Sequence, residues 1–189
     1  MKKYEFTGET KQVEILFKTV TLHRIRAIVE FGFVKVGDLG GWIEKEENLS
    51  HKGKAWVWGN AKVCGDAKVW GNAKVCGDAE VWGNAKVWGN AKVWGNAEVC
   101  GDAEVFSASH VLVIGAIGSR NDFTTFYRDK DGEITVKCGC FNGKIDRFLK
   151  KVAQRHGDFK YALVYRMAAE VAKLQIDLTN EIPKDVDED

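Results

Sequence analysis

Ser119, Arg120, Thr124, Thr125 and Arg128 fall within ten residues, and Lys137 follows a short way on. They belong to the stretch Gly115-Ala-Ile-Gly-Ser-Arg-Asn-Asp-Phe-Thr-Thr-Phe-Tyr-Arg128. Glycine amides, hydroxyls and planar guanidinium groups are the donors that hold phosphate or carboxylate oxygens. Strand alternation would put Thr124 and Arg128 on one face and Thr125 on the other, with Arg120 reaching in from the preceding loop. The chemistry expected here is capture of a small anion, not turnover. No Gly-Lys-[Ser/Thr] follows the glycines, so the stretch is not a P-loop. The bland alternative is a polar loop with solvated charges.

Other chemically able residues are sparse. Cys138-Gly-Cys140 would supply two metal ligands, with His110 or His156 as a third, but the gap is not the usual one and no second pair exists. No metal and no cofactor are therefore expected, and no catalytic residue is assigned. Arg24 and Arg26 lie on one side of an extended segment, where they serve either a cap or a ligand.

These residues must be positioned by what precedes them. Eight hexapeptides of the form Ala-x-Val-[Trp/Cys]-Gly-[Asn/Asp] run from Ala55 to Asp102 without a break. Alanine and valine two apart share a face in an extended chain. The Gly-Asn or Gly-Asp pair that follows tolerates a left-handed corner. Two inward residues and a corner in every six describe one side of a triangular coil, and three sides complete it. The pattern starts upstream with Ile43, Asn48 and Leu49, and it stops at Ser107–His110.

This spacing resembles the hexapeptide-repeat proteins, and the resemblance implies a left-handed parallel β-helix of about four coils. The chain is expected to divide into a β cap at 1–38, the β-helix at 39–109, an α+β region of a hairpin and two helices at 110–178, and an acidic tail at 179–189. In the third part, Phe123–Arg128 and Glu133–Cys138 read as the hairpin around Asp129-Lys-Asp-Gly132. Ile145, Phe148, Leu149 and Val152 mark the first helix. Tyr161, Val164, Ala168, Val171 and Leu174 form the expected buried stripe of the second.

Outward positions of the coils carry Trp70, Trp82, Trp88, Trp94 and Phe106, with Trp70, Trp88 and Phe106 in one column. Left open, they would expose more apolar surface than a monomer normally shows. A homo-oligomer that buries them is expected, and a trimer fits both opposed charges on different faces and the habit of the family it resembles. The alternative cover is the chain's own C-terminal helices. Cys64 and Cys100 share a face but are separated by Trp82, about 9–10 Å at the strand spacing, too far for a disulfide. Five free thiols fit a reducing compartment.

Composition limits the partners. The 189 residues hold 28 basic and 27 acidic side chains, net +1, which argues against strong nucleic-acid binding. No stretch reads as a signal peptide or a membrane span, so a cytoplasmic protein is expected. The segment Gly37-Asp-Leu-Gly-Gly-Trp-Ile-Glu-Lys-Glu-Glu-Asn-Leu-Ser50, the hexads, and Ile117-Gly-Ser-Arg with Cys138-Gly-Cys-Phe together resemble small proteins of bacteriophage and prophage genomes. That resemblance implies a non-enzymatic oligomer in the host bacterial cytoplasm that sequesters a nucleotide-type immune signal or a host protein. Two other readings remain. One is a hexapeptide acyltransferase, which would need a catalytic histidine near a loop that interrupts the coils, and neither His51 nor His110 sits so. The other is a protein-interaction scaffold.

Overall fold

In the computed structural model, which describes residues 1–15 and 17–179, the hexads wind a parallel β-solenoid of about four turns. Its sides are short strands β4 (Trp56–Val57), β5 (Lys62–Val63), β6 (Lys68–Val69), β7 (Lys74–Val75), β8 (Glu80–Val81), β9 (Lys86–Val87), β10 (Lys92–Val93), β11 (Glu98–Val99) and β12 (Glu104–Val105). Strands 18 residues apart pair in register, as Lys74 with Lys92 and Val75 with Val93. Three stacks result: β4-β7-β10, β5-β8-β11 and β6-β9-β12. They are called the first, second and third faces below. Alanine and valine of every hexad point inward and are fully buried. Each buried valine contributes about 1.5–3 kcal/mol, so the repeat itself builds the core.

The corners explain the glycines. Gly83 has φ +76°, and a Cβ there would meet the backbone of Gly101, one coil on, at 2.9 Å. Both the backbone sign and the coil spacing exclude a side chain. The next residue stacks by side-chain hydrogen bonds: Asn60 donates to Asp78 (3.2 Å), Asn72 to Asn90 (3.3 Å) and Asn84 to Asp102 (3.1 Å).

The second face is extended by other strands at its first end. At the start, β1 (Tyr4–Ile15) and β2 (Lys18–Ala27) form an antiparallel hairpin, and β2 pairs with β3 (Leu39–Ile43), which pairs in parallel with β5. An edge that would invite other chains is thus occupied. Lys3 closes this end: its Nζ donates to the carbonyls of Ala55 (2.8 Å) and Lys52 (3.3 Å), and burial lowers its pKa to about 8. Arg24 lies over the Trp42 ring and Arg26 pairs with Glu5, so the arginine pair serves the cap.

At the far end lies a four-stranded antiparallel sheet, β13 (Val111–Ile117), β14 (Asp122–Arg128), β15 (Ile134–Cys138) and β16 (Phe141–Lys144), in that order. Helices α1 (Ile145–His156) and α2 (Lys160–Gln175) follow. Lys130 N–H reaches Asp102 O (3.0 Å), and the Tyr127 hydroxyl lies 3.0 Å from Cys100 O. Asp129 accepts from Lys144 (2.7 Å) and Thr135 (2.6 Å) beside this junction. One side of the sheet packs on the last coil and the other on the helices.

Two expectations change here. The first concerns the aromatics. Trp70 and Trp88 stack at 5.0 Å and 2°, Phe106 continues the column at 4.9 Å, and Arg128 lies 4.9 Å over the Phe106 ring. Trp70, Trp82, Trp88 and Phe106 are 4–8% exposed within the single chain, whereas Trp94 is 57% exposed. The rings of Trp70, Trp88 and Phe106, 18 residues apart, cover one another, which the count of outward tryptophans ignored.

The second concerns α2. Its buried residues are Ala162, Tyr165, Ala168, Ala169 and Ala172. Of the expected stripe only Ala168 is inside, and Tyr161, Val164, Val171 and Leu174 are exposed. The buried line is rotated by one residue because small side chains let the helix lie close to the sheet. Of the acidic tail, residues 180–189 lie outside the described residues.

Candidate functional site

The loop joining β13 to β14 packs on Tyr165 of α2. Gly118 has φ +71°, and a Cβ there would fall 2.0 Å from the Tyr165 hydroxyl. The Tyr165 ring therefore lies directly on the loop backbone, and its hydroxyl also hydrogen-bonds Ser119 and lies 4.0 Å from Cys138 Sγ. Burial, then the neighbouring Cys138, raises the Tyr165 pKa, so the phenol stays protonated.

Beyond Ser119 the loop presents Arg120. Its guanidinium lies across Gly139, where an added Cβ would come within 2.8 Å of it, and its ion pair with Asp122 is long at 3.9 Å. The last turns of α1 face it. Lys151 (Nζ 5.5 Å from the Phe141 ring), Arg155 and His156 line the same cleft, with Cys138, Cys140, Phe141 and Tyr165 as its apolar and soft walls. The cleft encloses about 160 Å³, and no carboxylate lines it. Arg120, Lys151 and Arg155 converge there while the Asp122 carboxylate stays outside the lining, so the cleft is basic. The volume suits a phosphate or carboxylate group, with the remainder of a ligand outside. Arg155 and His156 also complement the negative end of the α1 dipole, which explains their presence but not Arg120 opposite them.

The structure brings together only part of the expected set. Ser119 and Arg120 open into the cleft. Thr124 is fully buried on the helix side, and its hydroxyl donates to Cys138 Sγ (3.3 Å). Thr125, on the solenoid side, accepts from the Glu98 N–H (3.0 Å). Lys137 pairs with Glu98 (2.8 Å). Arg128 is 7% exposed, and its Nη1 donates to Asp129 O (3.2 Å). These four are engaged inside the fold because β14 and β15 are central strands covered on both sides. The sequence reading missed Lys151 and Arg155. Their i, i+4 spacing on one helix was legible, but what brings them opposite residue 120 is the return of α1 across the sheet.

His110 and His51 are both engaged inside the fold, away from the cleft. His110 is fully buried edge-on to Phe106 (4.3 Å), its Nδ1 accepts from the Phe106 N–H (3.4 Å), and its Nε2 meets no partner. Burial, then Arg128, depresses its pKa to about 4. His51 stacks on Tyr4 at 4.3 Å and accepts from the Lys3 N–H (3.2 Å). All five cysteines are free. Among the described residues no group of three or more His, Cys, Asp or Glu is placed to hold a metal ion. No helix among them is long and apolar enough to cross a membrane.

The fold and the cleft define a parallel β-solenoid protein with a basic cleft in its C-terminal region. Searches with the chain find no matching protein-family model and no matching curated protein.

Proposed function

We propose that the protein is a non-enzymatic binding protein that sequesters a small anionic, nucleotide-type ligand. The observation that supports this is the carboxylate-free convergence of Arg120, Lys151 and Arg155 between two aromatic walls. The guanidiniums grip a phosphate, Ser119 adds a hydroxyl, and Phe141 and Tyr165 give the ligand's apolar part a surface. Such a site needs no general base. The similarity of the hexads and flanks to small bacteriophage and prophage proteins adds a role, capture of a host immune signal in the bacterial cytoplasm.

The reading includes self-association. The face of α2 turned away from the sheet exposes Leu163, Met167 and Leu174, at 55, 60 and 90%. A run of large apolar side chains on one outer helix face is the usual mark of a covered surface. This face takes the place of the tryptophan column as the contact between copies.

A thermal-shift screen of the full chain against inorganic phosphate and mono-, di- and cyclic nucleotides tests the reading. A stabilising nucleotide should lose affinity about 10- to 150-fold on Arg120→Ala or Arg155→Ala, since a charge-assisted hydrogen bond is worth about 1.5–3 kcal/mol. No stabilisation by any of these anions, or wild-type affinity in both variants, sinks it.

A further inference from the structure

The first face carries a second concentration of uncompensated positive charge, remote in sequence from the Arg120 loop. Across the second face, Lys62 and Glu80 stand in register and form an ion pair. At the matching place on the first face, Lys74 stands in register with Lys92. Like charges directly opposite each other on neighbouring strands destabilise a sheet. Among the described residues neither lysine meets a carboxylate. Each instead has an aromatic ring beneath it: Lys74 Nζ lies 5.0 Å from the Phe33 centroid and Lys92 Nζ 5.5 Å from that of Trp94. Both rings are open to solvent, Phe33 at 87% and Trp94 at 57%.

The corner beside them adds Lys54, Asn72 and Asn90. Phe33, Lys54, Trp58, Asn72, Lys74, Asn90 and Lys92 line a groove of about 430 Å³ along the solenoid axis, with no acidic residue in it, and Trp94 stands outside that lining under Lys92. The Asn72 amide donates to Asn90 at 3.3 Å, which leaves further amide donors and acceptors facing outward.

We propose that this groove is a second anion site, and that its ligand is a dinucleotide: two planar bases joined by a phosphodiester. The phosphate relieves the Lys74–Lys92 repulsion with help from Lys54. One base stacks by Phe33, the other by Trp94, and the asparagine amides contact base edges. A positive groove flanked by stacking rings is the general solution for phosphodiester-linked bases. The span between the rings covers only neighbouring coils, so the ligand is short. The site stands independently of the Arg120 cleft.

The test uses the full-length chain and linear 5′-phosphorylated diadenylate, read by tryptophan fluorescence and calorimetry. The wild type should bind it, and raising salt from about 50 to about 200 mM should weaken binding. Lys92→Glu, Lys74→Glu and Phe33→Ala should each weaken it roughly tenfold or more. Arg120→Ala should leave it unchanged. All are surface changes, and circular dichroism confirms the fold, with Lys92→Gln as a milder second variant. Failure of the wild type to bind diadenylate overturns the proposal. Loss in Arg120→Ala but not in Lys92→Glu also overturns it and places the ligand in the loop cleft, leaving the functional reading intact. If Trp94→Ala instead changes the mass in light scattering while diadenylate does not bind, the groove is a contact between copies and the proposal falls.

Discussion

His110 shows how one residue sets a response of the whole chain. It is neutral in the folded state, with a pKa near 4, and returns to about 6.5 when unfolded. Between those values the unfolded chain binds a proton that the folded chain refuses. Stability therefore falls as pH drops from about 6.5 toward 4, by at most ~1.4 kcal/mol per pH unit from this residue. Arg128 opposes the charged form and Asp177 favours it. Denaturant unfolding at pH 7, 6 and 5 should show the slope, and His110→Phe should reduce it. An unchanged slope in that variant would assign the pH response to other groups. At the same scale, only part of the ligand site was readable. Arg120 and Ser119 follow from residue type. The fate of Thr124, Thr125, Arg128 and Lys137 does not, because it depends on β14 and β15 being covered on both sides.

Among elements, the aromatic column and α2 make opposite statements about packing. The hexad period gave the strands, corners and inward core directly, since spacing alone decides which side chains meet. It did not reveal that Trp70, Trp88 and Phe106 would bury one another. Trp88, in the middle of the column, should cost about 3–5 kcal/mol on change to alanine, measured by chemical denaturation. A loss below about 1 kcal/mol would mean that the stack adds little. In α2 the error came from trusting size, because alanines face the core and the large residues face out. If that outer face joins copies, Leu163→Glu with Met167→Glu should convert the assembly to monomers in light scattering. The far-ultraviolet circular dichroism should stay unchanged. A mass equal to the wild type's would exclude the face from assembly.

For the molecule as a whole, the thiols report on opening. Cys140 is exposed, while Cys64 and Cys100 are 2% and 1% exposed with their pKa values pushed up by burial, to about 12 and about 11. Folded protein should label quickly at Cys140 and slowly at the two buried thiols, at a rate set by opening of the solenoid. Denatured protein should titrate five thiols. Fewer than five would reveal a disulfide, and fast labelling of Cys64 would show that the first coils open apart from the rest.

The register of the coils also fixes what lengths the chain can take. Because each corner turns the path by a third of a revolution, loss or gain of one hexad carries everything beyond it about 120° around the axis. The sheet and helices, still docked on the last coil, would then face a different side of the solenoid from the N-terminal hairpin. Gain or loss of three hexads keeps every side aligned and changes only the height. Viable length variants of this chain should therefore differ by whole multiples of 18 residues, a counting rule imposed by the Lys74–Lys92 and Val75–Val93 pairing itself.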